Sequence, residues 1–346
     1  MTDDELAALR AAYSNDRAHE TRDPVFQRAA ALAFSGVGRR KLPYSDIATL
    51  ISAPYRPEAQ DQADFGGLEV ALVGVPMDLG VTNRSGTRFG PRAIRNVERI
   101  GPFNHVLRVS PVAERRMADI GDVPFRSRFD LTQCHEDIET FYRRLHAAGV
   151  APVSAGGDHS ISGPILKALG SGRPLGMVHI DAHCDTSGVY ESTKFHHGGP
   201  FRQAVLDGVL DPARTIQIGI RGPGEYLWEF SYASGMTVIH AEEVDEMGVA
   251  AVIARAREVV GDEPFYLSFD VDGIDPAFTP GTGTPEVGGL TPREAQRIVR
   301  GLAGLAIVGG DVVEVAPQYD ASTVTAQVGA QMMFEIASLL AVKPRQ

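Results

Sequence analysis

The sequence predicts an α/β protein of three layers, α/β/α, in which helices cover both faces of a central, mostly parallel sheet of about eight strands. Short apolar runs recur along the 346-residue chain, and segments with helical periodicity separate most of them. This alternation is typical of parallel strands joined by right-handed helical crossovers. No tandem repeat, heptad pattern or low-complexity tract indicates another architecture.

Each predicted element rests on its own pattern. Short apolar runs bounded by turn-forming residues predict strands at 69–76, 117–121, 151–156, 175–182, 215–220, 236–240, 265–272 and 305–316. Amphipathic periodicity predicts helices at 131–148, 160–169, 244–260, 291–303 and 325–341.

The first 66 residues differ from the rest and are predicted to form a helical arm, with the main domain at 67–346. Helical patterns at 3–13, 24–34 and 44–52 precede a polar, proline-containing link. We favour an oligomer-packing role for the arm over a flap covering the active site of the same or a neighbouring subunit, because terminal extensions commonly serve packing.

The composition argues against nucleic acid and membranes as partners. The chain has 44 acidic and 33 basic residues, a formal charge of −11, which repels polyanions and is compatible with a cationic substrate. Its two cysteines, Cys134 and Cys184, form no CxxC motif, and the N-terminus lacks the pattern of a signal peptide. No uninterrupted apolar run approaches the ~18 residues of a membrane span. We therefore expect a cytoplasmic globular protein.

Charged residues gather where three of the predicted strands end. "GGDHS" follows the strand at 151–156, "HIDAHCDT" closes the strand at 175–182, and "SFDVDGID" closes the strand at 265–272. In open α/β sheets, ligand-binding groups collect beyond the carboxyl ends of the strands. Alternate residues of an extended chain point to the same side, so each of the last two motifs should present its acidic residues together.

Six side chains form the predicted ligand set for two divalent metal ions: His159, Asp181, His183, Asp185, Asp270 and Asp272. A single ion holding all six would leave no position for chemistry, whereas two ions about 3.5–4 Å apart can share bridging carboxylates. Manganese and nickel both accept imidazole and carboxylate ligands. A network of buried ion pairs is disfavoured, because Lys and Arg are absent from 174–193 and 264–292.

Three neighbours of this set are assigned to other roles. Cys184 falls on the opposite side of an extended strand and is predicted to pack. Asp158 and His179 are out of phase with the cluster and are predicted to support the structure or the ligands.

The segments "GGDHS", "DAHCD" and "SFDVDGIDPAFTPGTGTPEVGG" resemble the signature segments of the ureohydrolase family, which includes arginases, agmatinases, guanidinobutyrases and guanidine hydrolases. The resemblance covers about residues 68–342 and implies an arginase-like fold, a dinuclear manganese or nickel site, and hydrolysis of a guanidinium carbon to urea. It also implies which residues hold each ion. One ion would lie among His159, Asp181, Asp185 and Asp270, and the other among Asp181, His183, Asp270 and Asp272.

The same resemblance, together with the chemistry of the residues, predicts three catalytic roles. Asp185 would orient the attacking water, and Glu314 would bind the planar guanidinium as a paired acceptor. His197 would shuttle a proton to the leaving amine, since the pKa of histidine lies near neutral pH. His196 is predicted to be an ordinary packed or surface histidine.

The long N-terminal arm and the segment "HCDT…KFHHGGPFR" resemble the guanidine-hydrolase branch of the family most, which implies a small cationic guanidino substrate and favours guanidine itself. Free arginine is disfavoured, because Gly222, Pro223 and Gly224 stand where an arginase would carry an aspartate. Guanidinobutyrase, agmatinase and a biguanide hydrolase acting on compounds such as metformin remain alternatives. Residues 80–95, 226–228 and 280–285 are expected to line the pocket.

Two alternatives lie outside this class: a single-zinc amidohydrolase related to deacetylases, and a catalytically inactive partner subunit. The complete six-residue set disfavours both. The resemblance further implies a homo-oligomer, a trimer or hexamer, and a related partner subunit or metal-loading accessory proteins are further expected partners.

Overall fold

The computed structural model describes residues 1–17, 20–35, 37–42, 44–98 and 100–344. Eight strands form one sheet: β1 (Val70–Val75), β2 (Met117–Asp122), β3 (Ala151–Gly156), β4 (Leu175–Ile180), β5 (Leu210–Ile220), β6 (Thr237–His240), β7 (Phe265–Asp270) and β8 (Ile307–Val313). Their order across the sheet is β2-β1-β3-β8-β7-β4-β5-β6, and every neighbouring pair is parallel. The predicted fold class and all eight strands are confirmed.

The described helices are α1 (Asp3–Tyr13), α2 (Pro24–Ala33), α3 (Gly90–Arg95), α4 (Pro111–Glu114), α5 (Leu131–Ala147), α6 (Ser162–Leu169), α7 (Pro200–Leu206), α8 (Glu229–Ser234), α9 (Ala241–Met247), α10 (Val249–Val260), α11 (Pro292–Gly301) and α12 (Val324–Val342). The predicted helices do not include α3, α4, α7 or α8. These are short helices, so the periodicity that would reveal them covers too few residues.

Helices lie on both faces of the sheet because its strands are apolar on both faces. In β1, Leu72 belongs to the core that contains Ile336 of α12, whereas Val73 belongs to the core that contains Ile138 of α5. Successive strand residues point to opposite faces, so an all-apolar strand needs cover on each side. Burying each such side chain stabilises the fold by about 1.5–3 kcal/mol. The result is the predicted three-layer architecture.

Four adjacent strands at the centre of the sheet, β3, β8, β7 and β4, bring their carboxyl ends side by side. The chain segments that follow them carry the predicted functional residues. The direction in which the chain adds strands also changes in this region. From β1 the chain first extends to β2 at one edge of the sheet, whereas β4, β5 and β6 lead to the other edge. This topological switch point is where open α/β sheets place their ligand sites.

Four predicted strands end earlier than the sequence suggested: the strands predicted to run to 76 and 316 end at Val75 and Val313, and two others show the reason. The strand predicted to run to 182 ends at Ile180, and the strand predicted to run to 272 ends at Asp270. Asp181 and Asp270 each accept a hydrogen bond from the backbone N–H two residues later, at 2.6 and 2.8 Å. Such local turns replace the hydrogen bonds of a strand. The expectation that alternate residues of an extended chain would point to the same side here was therefore wrong.

Two helix predictions also need correction. The helix predicted at 44–52 is, in the described residues, only a 3-10 turn at Leu50–Ser52, and the N–H of Leu50 bonds to Asp119 instead. The helix predicted at 244–260 is divided at Gly248, whose φ of 76° ends α9 and lets α10 begin.

The N-terminal region divides into an exposed part and a packed part. Helix α1 buries no residue and α2 buries only Ala29. By contrast Leu50, Ala59 and Phe65 are fully buried against the main domain. The boundary at residue 66 and the role of the arm remain predictions.

Helix α12 is long and apolar enough to cross a membrane by length and composition alone. However, 78% of the 18-residue window that meets this test is buried inside the protein.

Candidate metal centre

The first half of the centre surrounds the imidazole of His159, which follows β3. Its Nδ1 atom lies 3.1 Å from Oδ2 of Asp181, 2.9 Å from Oδ2 of Asp185 and 3.2 Å from Oδ2 of Asp270. His159 follows β3, Asp181 and Asp185 follow β4, and Asp270 is the last residue of β7; each is less than a tenth exposed. The structure therefore brings together the four residues predicted to hold one ion.

The second half surrounds His183, in the loop after β4. Its Nδ1 atom lies 3.2 Å from Oδ2 of Asp272 and 3.4 Å from Oδ1 of Asp181. Asp181 thus offers a different oxygen to each half, as a bridging ligand would. Gly222 makes room for this arrangement, because a Cβ there would stand 2.4 Å from the ring of His183.

The donors of this cluster fit divalent cations. His159 Nδ1 is buried and has no hydrogen-bond partner in the described part of the chain, although three carboxylate oxygens face it. Burial and neighbouring carboxylates raise the pKa of Asp270 well above its usual range and that of Asp272 to about 6. No Lys or Arg of the described residues forms an ion pair with these aspartates to relieve the repulsion. Cations between the carboxylates would relieve it.

His179 contacts Asp181 and is predicted to support this ligand candidate. It lies close enough to the cluster to be a ligand itself, but its Nε2 is 2.7 Å from Oδ2 of Asp181. The amide of Gln217 lies 3.1 Å from His179 Nδ1 and can donate to it. An acceptor Nδ1 in a neutral imidazole leaves the proton on Nε2, which then donates to Asp181. The sequence analysis missed Gln217, which lies on the neighbouring strand β5.

Glu314 and His197 form a pair beside the first half of the centre. Oε1 of Glu314 accepts the backbone N–H of His159 at 2.8 Å and lies 2.9 Å from Nδ1 of His197. Oε2 of Glu314 is buried and has no hydrogen-bond partner in the part of the chain described. A buried carboxylate oxygen without a hydrogen-bond partner costs free energy, so a ligand that donates a hydrogen bond to it would bind favourably.

Glu314 and Thr82 have opposite effects on the protonation of His197. Burial opposes the imidazolium, but the carboxylate of Glu314 outweighs it and raises the pKa of His197 to about 9. On the other side the N–H of Thr82 donates to Nε2 at 3.0 Å, which requires that atom to be unprotonated. Nδ1 therefore keeps its proton towards Glu314, and Nε2 is the atom that gains or loses one. Thr82 Oγ1 lies 2.6 Å from it, a contact that the sequence analysis missed.

Asp158 ties the loop that carries Thr82 to the centre. Its carboxylate accepts the N–H of Gly80 at 2.8 Å, and the carbonyl of Gly80 accepts the N–H of His197 at 2.8 Å. This is a structural role, as predicted for Asp158.

The predicted pocket segments 80–95 and 280–285 meet next to Glu314. A Cβ on Gly283 would stand 2.9 Å from the backbone oxygen of Arg84 and 3.7 Å from Oε2 of Glu314. The side chains of Asn83 and Arg84 both donate to the carbonyl of Gly283, at 3.0 and 3.2 Å. Thr284 donates to Asp272 at 3.1 Å, which joins the same loop to the second half of the centre.

The remaining predicted residues lie outside the cluster. His196 Nε2 bonds to the carbonyl of Gly188 at 2.7 Å and so closes its own loop. Cys184 is buried, and burial raises its pKa to about 12, so the thiol stays protonated and unreactive near neutral pH. In the predicted pocket segment 226–228, Tyr226 is exposed and Trp228 packs on His240.

Comparison with known proteins agrees with this geometry. The arginase family's sequence profile matches residues 68–338, the segment that contains all of the clustered residues. The chain belongs to the arginase family. The predicted ureohydrolase family is confirmed, and the chain is a hydrolase that acts on the carbon–nitrogen bonds of guanidino compounds.

Two curated relatives and one solved structure from this family show how similar the chain is. It is 52% identical to the guanidinopropionase of Pseudomonas aeruginosa over 284 residues, which cover 80% of this chain and 88% of the relative. It is 42% identical to the guanidinobutyrase of the same organism over 309 residues, 88% of this chain and 96% of that one. The proclavaminate amidino hydrolase of Streptomyces clavuligerus is 34% identical with a TM-score of 0.81, covering 88% of this chain and 100% of that one.

Proposed function

We propose that this protein hydrolyses the guanidino group of a short guanidino acid, releasing urea and an amino acid, at a centre of two divalent cations. The observation that carries the proposal is the buried Oε2 of Glu314, unpartnered in the described structure, beside the cluster of six metal-ligand candidates. It supports a cationic N–H donor as the natural occupant of the space in front of Glu314.

The residues of the chain divide the work as follows. His159, Asp181, Asp185 and Asp270 would hold one cation, and Asp181, His183, Asp270 and Asp272 the other. When bound, the cations supply Lewis-acid activation of water at neutral pH. Asp185, at the edge of the first half, is suited to orient that water. Glu314 would fix the guanidinium plane, which confines attack to one face.

His197 would supply the proton for the leaving amine. Its Nε2 is the exchanging atom, and the Thr82 hydroxyl connects it to the pocket side of the loop. Thr82 itself is exposed, so a proton can reach the pair from solvent.

Arg84 supports a substrate with a carboxylate at its other end. The side chain stacks over the ring of Tyr319 with its Cζ 4.8 Å from the centroid, and its Nε is bonded to Gly283. No carboxylate of the described residues pairs with it. An arginine beside the pocket without an acidic partner attracts a carboxylate and repels an ammonium group. The named activities of both relatives, guanidinopropionase and guanidinobutyrase, are in line with such a substrate.

The experiment is a urea-release screen over 3-guanidinopropionate, 4-guanidinobutyrate, agmatine, guanidine, arginine and metformin, on protein loaded separately with Mn²⁺ and Ni²⁺. The proposal expects the two acids to have the highest kcat/KM. Arg84→Gln should raise KM for the acids about tenfold or more and leave turnover of guanidine unchanged. Exposed Arg92, which lies in another groove, provides the matched control Arg92→Gln. Equal kcat/KM for agmatine and 4-guanidinobutyrate would contradict the proposal.

Guanidine, the substrate favoured by the sequence, is not an activity named for these relatives and stays a prediction that the same screen tests. The choice between manganese and nickel, a trimeric or hexameric assembly and a cytoplasmic location likewise remain proposals. Leu9, Tyr13 and Phe26 of the N-terminal arm are exposed apolar residues, which supports burial of the arm between subunits. Light scattering of the full chain and of a chain lacking residues 1–48 tests this.

A further inference from the structure

A second carboxylate lies beneath the centre and takes no part in the predicted ligand set. Asp311, in β8, is fully buried, and its carboxylate accepts three hydroxyl groups. Ser162 and Tyr266 donate to Oδ2 at 2.6 and 2.9 Å, and Ser268 donates to Oδ1 at 2.7 Å. No Lys or Arg of the described residues pairs with it, so the three hydroxyls are what compensates its burial.

Ser268 connects Asp311 to the metal-ligand candidate His159. Its Oγ lies 2.8 Å from Nε2 of His159 as well as 2.7 Å from Oδ1 of Asp311. A serine hydroxyl has one proton to donate. Since an ionised Asp311 can only accept, the proton goes to Asp311, and Ser268 must accept a hydrogen bond from His159 Nε2–H.

The direction of these hydrogen bonds determines which nitrogen of His159 is free to bind a cation. A neutral imidazole with its proton on Nε2 has a lone pair on Nδ1, the atom that faces Asp181, Asp185 and Asp270. Without a fixed partner on Nε2, those three carboxylates would favour the opposite tautomer, with the proton on Nδ1 pointing at them. That tautomer cannot bind a cation between the carboxylates.

We propose that Asp311 is a positioning residue of the metal centre: through Ser268 it holds the proton of His159 on Nε2 and keeps Nδ1 free for a cation. The inference rests on the metal centre of the proposed function, although not on the identity of the substrate. Groups that orient ligands in this way typically change metal affinity by 10–100-fold when they are removed.

The test is binding of Mn²⁺ alone to metal-free full-length protein, with unbound Mn²⁺ measured by electron paramagnetic resonance. In Asp311→Asn the amide can donate to Ser268, which then turns its own proton towards His159. We expect the site around His183 to keep its affinity for Mn²⁺. The site that contains His159 should bind Mn²⁺ at least about tenfold more weakly. Ser268→Ala should behave in the same way, and Ser268→Thr, which retains the hydroxyl, should bind as the unmodified protein does.

The chain offers matched controls in Ser162→Ala and Tyr266→Phe. Each removes one hydrogen bond to Oδ2 of Asp311 but leaves the connection through Oδ1 and Ser268 in place. We expect less than about threefold change in Mn²⁺ affinity for both controls, a factor well below the range for residues that orient ligands. If circular dichroism shows that Asp311→Asn does not fold, the Mn²⁺ affinity of Ser268→Ala tests the inference on its own.

Equal affinities for Ser268→Ala and the unmodified protein would overturn the inference. Equal losses in the variants and the controls would overturn it too, because they would indicate a general packing effect. If the unmodified protein bound no Mn²⁺, the proposed centre would fall and this inference with it.

Discussion

His197 Nδ1 and Glu314 Oε1 lie 2.9 Å apart, a contact that holds one oxygen of the buried carboxylate and leaves Oε2 without a partner in the described structure. The backbone of Glu314 has a φ of 64°, a left-handed conformation that costs a non-glycine residue about 1 kcal/mol or more. A strained, buried acceptor with one occupied oxygen is typical of a binding site. The proposed function therefore makes Glu314 the residue on which substrate binding should depend most.

Replacing Glu314 by glutamine should lower kcat/KM for every guanidino substrate. Gln keeps the size of the side chain and removes the charge, so charge-assisted bonds worth about 1.5–3 kcal/mol become neutral ones, a loss of roughly 10–100-fold. Steady-state urea release measures the loss, and the bound metal should be unchanged. A variant within twofold of the unmodified protein would show that Glu314 does not bind the substrate.

Thr82→Val should lower kcat more than it changes KM. The variant keeps the backbone N–H that positions Nε2 of His197 and removes the hydroxyl that lies 2.6 Å from it. Because general acid catalysis is commonly worth about 10²–10⁴-fold, we expect roughly tenfold or more loss of kcat. Thr82→Ser is the control and should retain activity. If Val and Ser behave alike, the proton does not pass through this hydroxyl.

His179→Gln should leave the number of bound metal ions unchanged. A glutamine amide can replace the Nε2–H of His179 as donor to Asp181, whereas it could not replace a metal-binding imidazole. Metal per chain, measured by elemental analysis after loading and desalting, checks this. Loss of one ion would make His179 a ligand and would reassign the first half of the centre.

The buried His135 should lower the free energy of unfolding in mild acid relative to neutral pH. Burial lowers its pKa to about 3 from the ordinary 6.5, and the ring packs against Phe195. Because the unfolded chain takes up a proton between these values and the folded protein does not, stability is complete above pH 6.5 and falls as the pH drops towards 3. The difference reaches about 2 kcal/mol by pH 5.

The measurement for His135 is urea unfolding at pH 7 and pH 5. His135→Gln should reduce the loss of stability between the two conditions by about 2 kcal/mol. Exposed His146, on the same helix, gives the control His146→Gln, which should lose as much stability as the unmodified protein. The same loss in both variants would rule out a buried neutral His135.

The sequence was sufficient to predict the strands and the six clustered residues, because both follow local patterns. Apolar runs predicted the strands, and acidic and histidine residues at strand ends predicted the site. The cluster forms even though the strands end at Ile180 and Asp270, because parallel strands bring the residues that follow them to the same edge of the sheet.

What the sequence could not reveal are the partners that the fold brings from far away. Thr82 and His197 are separated by 115 positions, and Asp311 and Ser268 by 43. Neither contact leaves a local pattern, because it depends on which strands become neighbours. The helix predicted at 44–52 failed for a related reason: Leu50 is apolar because it packs on the main domain and bonds to Asp119, not because it lies on an amphipathic helix.

The most direct test of the account is the number of Mn²⁺ ions bound per chain, by the unmodified protein and by His183→Ala, with urea release recorded on the same samples. The account predicts two ions and active enzyme in the first case, and one ion with activity lost in the second. A single ion in the unmodified protein, or full turnover by His183→Ala, would contradict it.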